Sequence, residues 1–268
     1  MPPLLYPDLT GAIRHAVYDV HNKLGPLWSE ETYETALAMA LEKRGLQFAR
    51  QQEFEVCYRD HRVGLYRPDV DVEQKVLLEL KAVPELFPLH EAQLISYLKV
   101  TGRPLGLLLN FGAARADIRT YPNKVSGKNA LNVPLEFPEF PTLGDLSHQL
   151  LRMAHGILTE LGPGFFHQVY RRAFWYELTW AEVPFRVLKS IQAEYQGEVL
   201  ETREMRAFLV DGQLLLWPVA LRDEVFAVDD LTRAKLRHFT EYFGAKLGLV
   251  VNFNNVRLDY RFWRNGGG

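Results

Sequence analysis

Cysteine is nearly absent from this sequence: Cys57 is the one thiol in 268 residues. That excludes an intramolecular disulfide and a cysteine-rich metal site. An excess of positive charge is missing too, since 31 Lys and Arg against 33 Asp and Glu leave a net charge of −2. Broad wrapping of nucleic acid needs many phosphate contacts, and this balance argues against it. A local basic groove is still compatible, with Arg59, Arg62, Arg67, Lys99, Arg103, Lys124 and Lys128 as candidates, although each alone also reads as a solvated charge. No stretch approaches the roughly 20 apolar residues that span a bilayer. The opening Met1-Pro2-Pro3-Leu4-Leu5 lacks the basic segment of a signal peptide. The expectation is a cytoplasmic protein with no membrane partner. No GxGxxG, Walker motif or Ser-His-Asp order stands out, and Gly162-Pro163-Gly164 is too short a turn to cradle phosphates.

What is present centres on residues 66–81. Two β-rich runs flank a polar break at Glu73-Gln74-Lys75, the pattern of a hairpin with a three-residue connection. If Val72 faces Val76, paired residue numbers sum to 148, and Asp69 lies opposite Glu79. Directly opposed side chains are about 4.5–5.5 Å apart at Cβ, so two carboxylates there repel unless positive charge sits between them. Alternation puts Glu79 and Lys81 on one face and Val76, Leu78 and Leu80 on the other. Two acids and an amine thus converge on an apolar backing, and a divalent cation is the simplest occupant. The plainer reading, a half-exposed hairpin with Lys81 paired to Glu79, carries about equal weight on these residues alone.

The length suits two domains. Residues 9–24 read as a helix with Ile13, Ala16, Val17, Val20 and Leu24 on one face. Ser29 caps a second helix closed by Gly45, with Tyr33, Ala36, Leu37, Ala40 and Leu41 buried and Glu30 at the edge of that stripe. Residues 53–66 read as a hairpin leading into the focal strand pair, so that the strands form a meander. A helix from Pro88 to about Val100 places His90, Gln93 and Tyr97 on one face. Leu105–Phe111 is a buried strand and Ala116–Tyr121 an edge strand. Residues 123–142, with Pro134, Pro138 and Pro141, read as a linker between domains at 1–122 and 143–268. Beyond it the pattern restarts: Leu161-Gly162-Pro163 repeats Leu24-Gly25-Pro26, Tyr170 repeats Tyr33, and Gly248–Phe253 repeats Gly106–Phe111. An internal duplication explains these in-order matches.

The first half resembles the bacterial GxxExxY proteins of the PD-(D/E)XK nuclease-like superfamily. The matching words are Leu-Gly-Pro-x-x-x-Glu30-x-x-Tyr33, Tyr-Arg-Pro-Asp69, Leu-Glu79-Leu-Lys81-Ala-Val, His90-Glu-Ala-Gln93-Leu-x-x-Tyr97-Leu and Gly-Leu-Leu-Leu-Asn110-Phe111. One departure is visible, because Leu27 stands at the motif's opening glycine while Gly164 keeps it in the second repeat. The resemblance implies an α/β fold, a tandem duplication of an αβββαβ restriction-endonuclease-like core with a mixed sheet flanked by helices. It also implies Asp69, Glu79 and Lys81 as the signature residues, Glu30 as the first-helix acid and Gln93 as the polar residue of the following helix.

On that basis the expected chemistry is hydrolysis of nucleic acid, DNA in preference to RNA, with Mg²⁺ or Mn²⁺ as cofactor. Asp69, Glu79 and the Leu80 carbonyl would be metal ligands, and Glu30 would hold a second ion or a metal-held water. Lys81 would orient the attacking water, and Gln93 would hold Lys81 or substrate. Tyr97, Arg67 and Lys99 are the expected substrate contacts, and His90 and Glu91 accessory candidates. Alternatives from other classes are a nucleic-acid-binding module without turnover, an interaction subunit and another metal-dependent hydrolase. The second repeat reads as a catalytically empty copy and a built-in pseudo-dimer partner. An offset of 139 puts Phe208, Pro218 and Ala220 at the positions of Asp69, Glu79 and Lys81; an offset of 137 puts His167 at Glu30, and one of 142 puts Lys235 at Gln93. Its basic residues Arg171, Arg172, Arg203, Arg206, Arg233, Lys235 and Arg237 are candidates for holding a phosphate backbone.

Overall fold

The structure, a computed structural model, describes residues 5–124, 143–220 and 230–264. From residue 125 on, the expected linker and Lys128 lie outside the described residues, as do the side chains of Arg233 and Lys235. The chain divides into two compact units, Met1–Cys57 with Gly64–Gly127, and Tyr58–Val63 with Lys128–Gly268.

Along the first repeat, helices α1 (Pro7–Leu24) and α2 (Glu30–Glu42) precede strands β1 (Phe48–Arg50), β2 (Phe54–Tyr58), β3 (His61–Tyr66), β4 (Val70–Val72) and β5 (Val76–Lys81). Helix α3 (Pro88–Thr101), β6 (Leu105–Asn110) and β7 (Asp117–Pro122) complete the order. Ser29 caps α2 by accepting from the Thr32 amide, which satisfies one of the free amides at the helix start. The five-stranded sheet runs β1-β4-β5-β6-β7. Only the β5–β6 pair is parallel, with α3 as its crossover. The hairpin register is as the turn requires: Val70, Asp71 and Val72 face Leu78, Leu77 and Val76.

One expectation is corrected. β3 does not continue the meander into β4; β2 and β3 form a separate two-stranded sheet, and β1 pairs with β4 instead. The interruption is Arg67-Pro68, since proline lacks the amide that a ladder needs at that point.

The strands are buried on both faces. Val70, Val76, Leu78, Leu80, Leu107 and Leu109 pack with Ile13, Val17, Tyr33 and Leu37 of α1 and α2. Leu77 and Leu108 pack with Leu94 and Leu98 of α3 on the opposite face. Glu79 and Lys81 therefore emerge on the α3 face, among residues that leave them 1% and 8% exposed.

The second unit repeats this order, among the described residues without counterparts of β2 and β3. Helices α4 (Gly144–Leu161) and α5 (His167–Trp180) precede β8 (Phe185–Tyr195), β9 (Glu198–Val210), β10 (Leu214–Val219), α6 (Asp230–Tyr242), β11 (Leu247–Asn252) and β12 (Asp259–Arg264). Its sheet runs β8-β9-β10-β11-β12, strand for strand the counterpart of the first, again with one parallel pair, β10–β11. The duplication extends to single hydrogen bonds. Tyr33 Oη donates to the Gly25 carbonyl at 2.5 Å, and Tyr170 Oη donates to that of Gly162 at 2.8 Å. Each tyrosine also stacks on the phenylalanine after the parallel strand, Tyr33 on Phe111 at 4.6 Å and Tyr170 on Phe253 at 4.4 Å. The tyrosine of the recurring motif is thus a tie between helix-entry turn and sheet end, buried in both copies.

The register corrects the expected alignment of the copies. Val76 pairs with Leu105, and Leu214 with Leu247, so β10 follows β5 by 138 positions. Phe111 N donates to the Lys81 carbonyl, as Phe253 N does to that of Val219. The counterparts of Asp69, Glu79 and Lys81 are therefore Ala207, Trp217 and Val219 rather than Phe208, Pro218 and Ala220. A one-residue slip exchanges the two faces of a strand, and the β9–β10 pairing of Leu214 with Val210 excludes it.

A packing consequence can be measured. A Cβ at Gly112 would lie 2.4 Å from the Val83 amide nitrogen and 2.6 Å from the Ala82 carbonyl carbon, both backbone. Gly112→Ala is expected to destabilise by about 1–3 kcal/mol, the cost of overpacking a tight site. Urea unfolding of wild type and variant checks it.

Candidate active site

The chain enters β4 through Pro68, which leaves Asp69 one residue short of the ladder. Its side chain takes the place of a strand partner: Asp69 Oδ2 accepts from the Leu80 amide at 2.6 Å, and the Asp69 carbonyl accepts from Gln51 N at 3.0 Å. Asp69 is thereby fixed beside Glu79 and Leu80. Lys81 Nζ donates to Glu79 Oε1 at 2.6 Å and to the Leu80 carbonyl at 2.9 Å. Glu30, at the first turn of α2, reaches across the end of β5; its Oε1 accepts from Ala82 N at 3.3 Å and its Oε2 is 3.9 Å from Lys81 Nζ. The loop after Lys81 is pinned by Asn110, whose side chain accepts from Val83 N and Gly112 N and donates to the Val83 carbonyl.

Charge at this spot is strained. Burial raises the Asp69 carboxyl to about 6, against the Leu80 hydrogen bond and Lys81, which favour its anion. Burial and then the charge on Asp69 raise the Glu79 carboxyl to about 8, with Lys81 only partly compensating. For Lys81 the balance is reversed. Burial alone would lower its pKa, but Glu79, Glu30 and Asp69 outweigh that and hold it above its ordinary value. Each carboxyl thus resists ionisation while the other is charged, and Lys81 stays charged beside them. Glu79 Oε2 is buried without a hydrogen-bond partner, which is unusual for a buried polar atom.

The remaining expected residues fall at different distances from this centre. Gln93 Nε2 donates to Tyr97 Oη at 3.0 Å, a bond within α3. Burial and then Glu79 raise the Tyr97 hydroxyl well above its ordinary value, which places that ring within the field of the site. His90 Nδ1 accepts from Phe87 N at the start of α3; burial and then Lys81 lower its pKa. Lys99 lies two residues beyond Tyr97, about 200° around the helix, on another face. Arg67 is exposed and paired with Glu53. Of the other basic candidates, Arg59 pairs with Glu177 at 2.5 Å and Arg103 with Asp71 at 2.8 Å, so these charges are already compensated.

Sequence reasoning missed Glu34. It is 4% exposed, accepting from Arg50 Nε at 2.6 Å and from Gln51 Nε2 at 2.8 Å. Glu30, Glu31, Glu34, Arg50, Gln51 and Asp69 line a cleft of about 590 Å³. The signal was available, because Glu34 precedes Leu37 and Leu41 by three and seven positions and so belongs to the buried stripe.

Among the described residues no group of three or more His, Cys, Asp or Glu side chains is arranged as a metal cage. Mg²⁺ does not require one, since it is commonly held by one or two carboxylates and keeps several waters. Asp69, Glu79 and the Leu80 carbonyl make such a hard-oxygen set. The partnerless Glu79 Oε2 fits a cation, whose charge would also offset the repulsion between the two carboxyls.

No curated protein and no solved structure matches the chain. A family model described as the PD-(D/E)XK nuclease superfamily matches residues 7–121 and again residues 144–264. The two matched segments cover most of the chain and coincide with the two repeats of the fold. Among the described residues no helix is long and apolar enough to cross a membrane. The chain belongs to the PD-(D/E)XK nuclease superfamily, with the family unit present twice.

Proposed function

We propose that the first repeat hydrolyses phosphodiester bonds of nucleic acid, DNA in preference to RNA, with Mg²⁺ or Mn²⁺ held by Asp69, Glu79 and the Leu80 carbonyl. The observation that carries this reading is the buried Glu79, raised to about 8 beside Asp69, with one oxygen lacking a partner and Lys81 at 2.6 Å from the other. An acid pair kept at such cost in an apolar setting is the arrangement expected of a functional site. When bound there, the metal supplies charge neutralisation at the phosphate and a more acidic water.

The protein's own groups have separate tasks. Asp69, locked by the Leu80 amide, sets the position of the anionic side of the site. Lys81, held protonated by three carboxylates, donates toward the attacking water or the phosphoryl oxygens, where negative charge grows in the transition state. Glu30 is half exposed at the mouth and faces Lys81, the place for holding a second ion or a water. Tyr97, oriented by Gln93, contributes a ring edge and hydroxyl beside the acids. The likeness to GxxExxY proteins supports assignment to that subfamily, and the repeat supports a reading with domains at 1–122 and 143–268. The second repeat is read as a non-catalytic copy, since Ala207, Trp217 and Val219 offer no side-chain ligand for a hard cation. The competing reading, binding without turnover, is less favoured because Asp69, Glu79 and Lys81 are all retained.

Labelled single- and double-stranded DNA and RNA, incubated with the protein in Mg²⁺, Mn²⁺ or EDTA, test the proposal. Cleavage of at least one substrate with metal and none in EDTA is expected. Cleavage undiminished by EDTA, or none of any substrate with either metal, would count against it.

A further inference from the structure

The position that is acidic in the first unit is basic in the second. The helix-entry hydrogen bonds equate Tyr170 with Tyr33, so His167 stands where Glu30 does and Arg171 where Glu34 does. The sheet register equates Ala207 with Asp69, and Arg206 with Pro68. No acid of the first site has an acidic counterpart here.

The cations converge. Arg171 Nη1 donates to the carbonyl oxygen of Arg206 at 3.2 Å, which brings the arginine of α5 against the strand that carries the other. His167 opens α5 one turn before Arg171 and packs against the Phe166 ring at 4.4 Å. The acid beside Arg206 is Glu204, 3.4 Å away with its side chain 84% exposed. An ion pair that open contributes little. Burial and then Arg206 and Arg172 lower Arg171 to about 10, while burial and then Arg171 and Arg206 lower His167 to about 4. At neutral pH a neutral imidazole and the Arg171 guanidinium therefore stand in the first turns of α5, beside the strand that carries Arg206, and the macrodipole and free amides of that helix start also favour an anion. Guanidinium is the side chain best matched to phosphate oxygens.

We propose that His167, Arg171 and Arg206 form a phosphate-binding site of the second unit that grips one phosphodiester of a nucleic-acid backbone. The identity of the ligand rests on the nuclease reading of the first unit; the site itself does not use that unit's chemistry. In the second unit the positions of Glu30 and Glu34 thus carry groups suited to an anion.

The test uses the full chain in EDTA, so that cleavage plays no part. Fluorescence anisotropy with a labelled DNA duplex is measured over a range of salt concentrations. In Arg171→Gln/Arg206→Gln the affinity is expected to fall about tenfold. The plot of log K against log salt should become shallower by about one unit, the loss of one phosphate contact. Arg206 is exposed, so Arg206→Gln alone is a variant without folding risk and should show part of the loss; Arg171→Lys should retain more affinity than Arg171→Gln. Unchanged affinity and salt slope in a double variant of unchanged melting temperature would overturn the proposal. If millimolar inorganic phosphate raised the wild-type melting temperature while the substitutions left duplex affinity untouched, the site would take free phosphate and the backbone role would be wrong. Failure of the nuclease reading shows separately, as absence of metal-dependent cleavage by the wild type.

Discussion

Lys81→Met is expected to lower the cleavage rate by roughly 10²–10³-fold, the cost of removing one preorganised donor from a developing negative charge. Lys81 is nearly buried, and its Nζ is committed to Glu79 and the Leu80 carbonyl, so solvent cannot readily replace it. The loss should appear in kcat more than in substrate affinity, because Lys81 acts on charge that grows only in the transition state. Single-turnover rates with saturating protein, alongside anisotropy in EDTA, separate the two. A Lys81→Met protein that cleaves at the wild-type rate would remove Lys81 from the mechanism. Loss of binding with the rate preserved would make it a substrate contact instead.

Without divalent ions, the stability of the first unit should fall as pH rises from about 4 to above 8. The sign follows from the two carboxyls. Asp69 is raised to about 6 and Glu79 to about 8, so the folded state holds these protons more tightly than the unfolded state does. Their favourable contribution is complete below the ordinary carboxyl range and is lost as pH rises through 6 and then 8. Each pKa unit corresponds to about 1.4 kcal/mol, so shifts from 3.8 to about 6 and from 4.5 to about 8 put the loss at up to about 8 kcal/mol, a fall of well over roughly 10 °C in melting temperature. Glu79→Gln should flatten the upper part of this profile and leave the metal-free protein more stable than wild type at pH 8. Mg²⁺ or Mn²⁺ at a hundred times its dissociation constant should restore about 2.7 kcal/mol by mass action, and Glu79→Gln should blunt that gain. Thermal melts across pH, with and without metal, measure all three. A wild-type profile that is flat between pH 5 and 8.5 and indifferent to metal would contradict this picture of the site.

The centre of the site was legible in the sequence because a tight hairpin leaves its register little freedom. Once Val72 faces Val76, the positions of Asp69 beside Glu79 and of Lys81 follow from alternation alone. The recurring Leu-Gly-Pro and Asn-Phe words showed the duplication because they mark the helix-entry turn and sheet end that Tyr33 and Tyr170 tie together. What escaped has physical reasons. β1 spans only Phe48–Arg50, too short for any period to show, yet it takes the edge of β4 that the meander would have used. The offset of 139 aligned Arg206-Ala207-Phe208 with Arg67-Pro68-Asp69 by residue type, whereas the sheets align by their turns. Both turns hold three residues, 73–75 and 211–213, and that fixes 138. Glu34 was passed over because an acid on a helix is ordinarily a solvated one. Its place on the buried stripe was readable from the spacing to Leu37 and Leu41, but its partners Arg50 and Gln51 lie outside the helix, and no local pattern announces that contact.

The most direct test compares wild type with Asp69→Asn in Mn²⁺, on whichever labelled substrate the wild type cleaves. Asparagine keeps the size of the side chain and an oxygen that can accept from the Leu80 amide, but removes the charge that would hold the cation. Metal-dependent cleavage by the wild type, with loss of both cleavage and Mn²⁺-induced thermal stabilisation in a folded Asp69→Asn protein, is the predicted result. Undiminished cleavage by Asp69→Asn would contradict the account.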